Sequence, residues 1–233
     1  ESMPSHLVAV CRSLFDFNVC NVVVNGRKSK DIHCLRGLLQ GSSLSPLLFN
    51  LYIHSLIVRL NTLPKLCLQN ESVELNNLFF ADDGALIADV AVVQPLLHIC
   101  SGWGDEYGTQ WSAPKSAILL PPKHILDPVC IPESFFIQGG VIPFVKESFV
   151  YLGLEVKRGE GIVFEKKHEE RIAKMLSTAL FLKRKGMNTL GWRLSSSVSA
   201  YKSFLRPMME YGLCFMSAKS RVIEKMEKAQ NSV

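Results

Sequence analysis

Apolar residues change their spacing several times along the chain, and each change marks an element. After Pro4, the residues Leu7, Val8, Cys11, Leu14 and Phe15 recur at helical intervals, so a helix is expected to run to about residue 18. Residues 19–24 are rich in valine, and the Asn25-Gly26 that follows is the dipeptide preferred by a type I′ turn, whose central positions both need positive φ. A return strand is expected over 31–36, and residues 37–43 read as a loop. Ser45-Pro46 reads as N-cap and first residue of a helix to about residue 61, with Leu47, Leu48, Leu51, Ser55 and Leu56 on its apolar face. Apolar runs at 75–81 and 85–88 flank Asp82-Asp83-Gly84, the pattern of a tight hairpin with an acidic tip. A helix is expected over 92–107 despite Pro95 and the glycines at 102 and 104. Short strands fit 117–120, 135–138 and 141–144, the last two turning at Gly139-Gly140, and 149–156 reads as one further strand. From residue 165 the spacing is helical, over 165–185, 194–204, 210–216 and 221–231.

This order predicts an α+β body over 1–156 with an antiparallel sheet and packed helices, followed by a helical module over 157–233. Charge changes at the same place: residues 1–156 hold 10 Lys/Arg against 14 Asp/Glu, and residues 157–233 hold 16 against 7. The basic module is expected either to meet an anionic partner, nucleic acid first, or to be a solvated helical surface. With 233 residues, 48% of them hydrophobic, the chain can fill a core, which argues against disorder. No run reaches the roughly 18 consecutive apolar residues that a membrane span needs. Seven scattered cysteines without a C-x-x-C pair argue against a disulfide framework and a zinc site, and for a reducing, intracellular compartment, nucleus or cytoplasm. The start, Glu1-Ser2-Met3-Pro4, lacks the features of a secretory signal and reads as truncated or processed.

Two adjacent carboxylates on a hairpin between apolar strands have a chemical use, because rigid strands can aim them at divalent cations that their like charges need in order to coexist. Asp82 and Asp83 are such a pair, although Asp-Gly is also a common turn dipeptide. The surrounding motifs decide. In order along the chain stand Arg36-Gly37-Leu38-Leu39-Gln40-Gly41-Ser42-Ser43-Leu44-Ser45-Pro46-Leu47-Leu48-Phe49-Asn50-Leu51, then Phe79-Phe80-Ala81-Asp82-Asp83, then Phe149-Val150-Tyr151-Leu152-Gly153. The first resembles the glycine-loop-plus-helix motif of reverse transcriptases, the second their F-A-D-D catalytic hairpin, and the third their Y-L-G primer-grip strand. Trp111-Ser112-Ala113-Pro114-Lys115-Ser116 resembles the family's lysine-bearing motif. Leu205-Arg206-Pro207-Met208-Met209-Glu210-Tyr211-Gly212 resembles the segment after the primer grip in non-LTR retrotransposons. The chain thus resembles the reverse transcriptase (RNA-directed DNA polymerase) domain of non-LTR, LINE-like elements over nearly its whole length.

The resemblance implies a right-hand polymerase palm over 1–156 and a basic helical thumb or connection over 157–233, with the fingers largely absent. It implies that Asp82, as principal ligand, and Asp83 help hold two Mg2+ ions. Gln40 and Gly41 would lie against the template base and incoming nucleotide, Lys115 would approach the phosphates, and Tyr151, Leu152 and Gly153 would place the primer end. Lys166, Lys167, Arg171 and Lys174 would track the duplex backbone. Each has a plainer reading: a surface lysine in a turn, an apolar strand with a glycine kink, and a charged helix whose basic face Glu169 and Glu170 interrupt. The implied partners are an RNA template, a DNA primer or duplex, and dNTP. The family's further carboxylate, on a strand ahead of the Gln40 loop, has no counterpart among Glu1, Asp16 and Asp31, none of which has the family's second aspartate and aromatic a few residues on. The expectation is therefore a chain clipped at both ends with little or no polymerase activity by itself. It would be a fragment of a polymerase, or else an inactive relic that binds nucleic acid or does nothing; an unrelated α+β protein with an acidic turn is the third reading.

Overall fold

The structure, a computed structural model, describes residues 4–16, 18–34, 36–68, 73–121, 131–163, 165–187, 191–215 and 221–233. The chain forms two compact units, Glu1–Trp103 and Gly104–Val233. Helices and small, mostly antiparallel ladders make both α+β.

In the first unit, α1 (Ser5–Phe15) starts after Pro4, whose fixed φ and missing N–H suit a helix entrance. Asn25 and Gly26 both hold positive φ, 49° and 76°, so the turn forms as its dipeptide demands. The return strand begins sooner than expected: β2 (Val23–Val24) pairs with β3 (Arg27–Lys28), and β1 (Val19–Cys20) with β4 (Ile32–His33). Residue 35, within the expected strand over 31–36, lies outside the described residues. The helix α2 (Ser45–Leu60) buries Leu56 of its expected face together with Ile53 and Leu60, while Leu47 and Leu51 of that face are exposed. The reason lies in α3 (Val90–Tyr107), whose Leu96, Leu97, Cys100 and Trp103 are buried. The Trp103 indole stands edge-on to Tyr52, ring centroids 4.8 Å apart, and its Nε1 donates to Ser55 Oγ at 2.8 Å. Between these helices run two hairpins, β5 (Leu66–Leu68) with β6 (Val73–Leu75), and β7 (Asn77–Phe80) with β8 (Asp83–Leu86).

In the second unit, β9 (Ile118–Leu119) pairs in parallel with β12 (Phe144–Val145), while β10 (Phe135–Ile137) and β11 (Gly140–Ile142) form a hairpin. That hairpin turns on Gln138-Gly139, both at positive φ, one residue earlier than the Gly139-Gly140 expected from sequence. Gly140 belongs to the strand, where a Cβ would stand 2.7 Å from that of Ala113. The single strand expected over 149–156 is instead a hairpin: β13 (Ser148–Tyr151) and β14 (Leu154–Lys157) pair across Leu152-Gly153, and β15 (Gly161–Val163) adds a third strand. Residue 157, where the charge balance changes, ends β14 inside this sheet.

The helical part is α4 (Glu165–Arg184), α5 (Leu194–Ala200), α6 (Arg206–Glu210) and α7 (Arg221–Asn231), with a π turn at Tyr201–Leu205 joining α5 to α6. The wider turn admits Pro207, which has no N–H to give and would crowd the carbonyl one turn back. The helix expected over 210–216 ends at Glu210; a 3-10 turn, Leu213–Phe215, follows Gly212 at φ 86°, and residue 216 lies outside the described residues. The core here joins Ile172, Met175 and Ala179 of α4 to Leu205, Met209 and Val222, Met226 and Ala229 of α7. Among the described residues no helix is long and apolar enough to cross a membrane.

Candidate active site

The β7–β8 register sets Phe79 opposite Gly84 and Phe80 opposite Asp83, which leaves Ala81 and Asp82 as the turn. The tip is thus one residue earlier than Asp82-Asp83-Gly84. Ala81 has φ 53° and Asp82 is not at positive φ, the sign pattern of a type II′ turn. An alanine there sets its Cβ against the following carbonyl at a cost of roughly 1–2 kcal/mol. Gly84 has a steric cause: a Cβ at this position would lie 2.6 Å from Phe79 Cε1, so the ring crosses the strand where no side chain stands. Asp82 and Asp83 are both exposed. Among the described residues neither carboxylate has a hydrogen-bond or ion-pair partner.

The hairpin is fastened at its base by Asn76, which is fully buried. Its Nδ2 donates to the carbonyls of Leu60, Leu63 and Pro64 at 2.8, 3.1 and 3.3 Å, and its Oδ1 accepts from Asn77 Nδ2 at 2.6 Å. Its own carbonyl accepts from the N–H of Ile87 at 2.9 Å. Through its side chain Asn76 thus meets the open carbonyl end of α2, and through its backbone carbonyl it ties in the chain leaving β8. A buried amide with these partners is strongly localised, because losing any of them strands a polar group away from water.

The opposite end of α2 carries the loop with Gln40 and Gly41. Gly37 and Gly41 sit at φ 94° and 90°, open to glycine and strained for other residues. Ser45 is the first helical residue rather than the N-cap; its Oγ donates to the Leu39 carbonyl at 2.6 Å and ties the loop to the helix. Gln40 and Gly41 are exposed. One helix thus supports both the glycine loop and the carboxylate hairpin.

Hard carboxylate oxygens of this kind suit Mg2+, and two adjacent, exposed, unpartnered aspartates fit such an ion in chemistry. In number they fall short, since no cluster of three or more His, Cys, Asp or Glu side chains occurs among the described residues.

The other residues singled out from sequence lie in the second unit. Lys115 is exposed at the end of the 3-10 turn Ala113–Lys115. Tyr151 ends β13, and Leu152 and Gly153, at φ 47° and 72°, form a type I′ turn rather than part of a strand. That turn is gripped from the helices. Tyr211 donates its hydroxyl to the Leu152 carbonyl at 2.6 Å. Arg171 donates from NH2 to the Gly153 carbonyl and from NH1 to the Tyr211 carbonyl, each at 2.7 Å, with its guanidinium 4.7 Å from the Tyr211 ring centroid. Arg171 and the Leu152-Gly153 turn are therefore brought together. Lys174 lies beside Arg171 on the rim of a shallow hollow completed by Pro207, Met208 and Tyr211. Lys167 pairs with Glu170 at 3.3 Å, and Glu169 with Lys225 of α7. Lys166 is in α4, but its side chain lies outside the described residues.

Sequence reasoning missed three contributors. Asn76 falls inside the apolar run expected over 75–81 and had no role of its own, Ala81 carried no turn signal, and Tyr211 lay in a quoted motif without a role. An Asn-Asn pair directly ahead of an apolar strand was the available sign of the first.

The family model described as reverse transcriptase (RNA-dependent DNA polymerase) matches residues 2–156. Among curated proteins, the chain is similar to the retrovirus-related Pol polyprotein from type-1 retrotransposable element R2 of Popillia japonica, with 38% identity over 69 residues. That match covers 30% of the chain and 11% of the relative's length.

Proposed function

The chain belongs to the reverse transcriptase family, and from that premise we propose that it supplies the carboxylate hairpin and primer-side elements of an RNA-directed DNA polymerase of the non-LTR retrotransposon kind. The observation that carries this is the exposed Asp82-Asp83 pair, without a partner among the described residues, borne on a strained turn and fastened through Asn76 to the helix that follows the Gln40 loop. In this reading residues 1–156 are the palm and residues 157–233 a thumb.

Asp82, as principal ligand, and Asp83 would hold two Mg2+ ions; bound there, the metal supplies Lewis-acid polarisation of the triphosphate and a more acidic primer 3′-hydroxyl. Among the described residues no cation pairs with the two carboxylates, which leaves their charges available to such ions. Gly41 leaves room for a base to approach the backbone, with Gln40 beside it. Lys115 offers an exposed ammonium to phosphate. The Leu152-Gly153 turn, gripped by Arg171 and Tyr211, gives the primer end a fixed edge, and Lys166, Lys167 and Lys174 follow the backbone. With no third carboxylate among the described residues near the pair, this chain alone is proposed to extend primers weakly or not at all.

Primer extension on an RNA template with Mg2+ and dNTP tests this. The chain alone is expected to remain at background, while a longer polypeptide that adds an aspartate-bearing strand ahead of residue 1 extends the primer. Asp82→Ala with Asp83→Ala should then lower extension by on the order of 10³-fold or more. Extension that survives the double substitution sinks the assignment. Salt-sensitive binding of an RNA–DNA duplex, with no extension in the longer polypeptide, would favour the relic that only binds.

A further inference from the structure

By spacing alone the cysteines form no pair, but the hairpin over residues 19–33 makes one. The Sγ atoms of Cys20 and Cys34 lie 3.1 Å apart, and both residues are exposed. Cys20 faces Ile32 across the β1–β4 ladder, and the N–H of Cys34 donates to the Asn18 carbonyl at 2.8 Å. The two cysteines are therefore diagonal neighbours on one face. In a flat ladder such neighbours stand about 7–8 Å apart at Cα. Two-stranded ribbons twist more strongly than wide sheets, which draws one diagonal together and accounts for the sulfur contact. A disulfide of about 2.05 Å requires the sulfurs to approach by about 1 Å more. Among the described residues no other two thiols meet, and Cys100 is buried, its thiol pushed up to about 12 by desolvation.

We propose that Cys20 and Cys34 are a redox modification site, forming a reversible intrachain disulfide that closes the hairpin immediately ahead of the Gln40 loop. The oxidant is a small disulfide of the glutathione class. Its anionic charge is drawn to a hairpin bearing Arg27, Lys28 and Lys30. Both thiols are exposed, so either can make the first attack; in one order Cys20 leads. The Cys20 thiolate attacks one sulfur of the small disulfide and expels one small thiolate, leaving a mixed disulfide. The Cys34 thiolate then attacks Cys20 Sγ and expels the second. Two protein thiols lose two electrons and two protons, and the small disulfide becomes two thiols. The bridge spans 14 positions and fixes both ends of the ribbon, so the chain enters the glycine loop from an immobile point. This proposal stands independently of the polymerase reading.

The test uses the full chain equilibrated in buffers of graded reduced-to-oxidised glutathione ratio, then quenched with acid, alkylated in denaturant and digested with trypsin. Cleavage after Arg12, Arg27, Lys30 and Arg36 places Cys20 in peptide 13–27 and Cys34 in peptide 31–36. The expected result is one species joining these peptides, about 2 Da lighter than the two reduced peptides together. It should separate on reduction and rise along a single titration curve. Cys34→Ser should leave Cys20 carrying glutathione instead, and because both positions are exposed the variant is expected to keep the parent's circular dichroism. Separate alkylation of Cys20 and Cys34 at every ratio, or an independent glutathione on each, overturns the proposal.

Discussion

The β7–β8 and β13–β14 hairpins both reverse the chain through two residues that begin with a non-glycine at positive φ, but their tips meet different surroundings. At Ala81-Asp82 no described side chain grips the tip, and among the described residues the hairpin's brace is Asn76, at its base. At Leu152-Gly153 both turn carbonyls are taken, one by Tyr211 and one by Arg171. The first arrangement leaves charge uncommitted and aims it from below, as a ligand-receiving group requires. The second removes freedom from the tip itself, as a guiding edge requires. The backbone solution is shared, and the position of the brace separates the roles.

Cutting the lower brace should have the largest effect. Asn76→Ala removes the side-chain donor shared by one buried and two partly buried carbonyls and empties a fully buried position, and is expected to lower stability by about 2–3 kcal/mol. Denaturant midpoints would measure this, with amide exchange speeding in β7 and β8 while β13 and β14 keep their protection; equal loss in both would show that the braces are not local. Alkali acts on the core of the same unit, at Cys100 of α3. Burial raises the Cys100 thiol from 9.0 to about 12, so its contribution is complete below pH 9. Between pH 9 and 12 the unfolded chain releases a proton that the folded chain keeps, and stability should fall by about 1.4 kcal/mol per pH unit. Urea midpoints at about pH 8 and about pH 10 should differ accordingly, and Cys100→Ala should flatten that difference.

The upper brace should yield less. Arg171→Lys loses the planar fork that reaches two carbonyls at once, an expected loss of about 1–2 kcal/mol with faster exchange at residues 152–154. Tyr211→Phe, which removes one hydrogen bond and keeps the ring, is expected to cost about 0.5–1 kcal/mol. If the Arg171 variant protects the turn as well as the parent does, the tip brace is not what holds it. Ala81→Gly is the smallest change: glycine takes positive φ freely, and relief offset by chain entropy should leave a gain of at most about 1 kcal/mol. A marked loss of stability there would show that the turn does not need positive φ.

Local chemistry was legible in proportion to how local its cause is. Asn25-Gly26 announced its turn because both residues favour the φ values required. The acidic hairpin was found, but its tip was set one residue late. Asp-Gly is a habitual turn pair, whereas here Gly84 serves the Phe79 ring and an alanine takes the left-handed position. Leu152 at positive φ has no signature in sequence, since the Arg171 and Tyr211 contacts that hold it come from residues far along the chain. Asn76 was hidden for the same reason: its partners are the carbonyls of Leu60, Leu63 and Pro64, which no local pattern announces. The motif order, by contrast, carried the family through every one of these misplacements.

The helix α2 also behaves as a ruler. Its 16 residues set the glycine loop about 24 Å from the carbonyls that Asn76 reads. Inserting one residue would lengthen it by about 1.5 Å and rotate those carbonyls by about 100° about the axis. Substitutions on its outer face, at Leu47, Leu51 or Val58, alter neither quantity. Insertions and deletions alter both, so the span between the two motifs should tolerate changes of letter far better than changes of length.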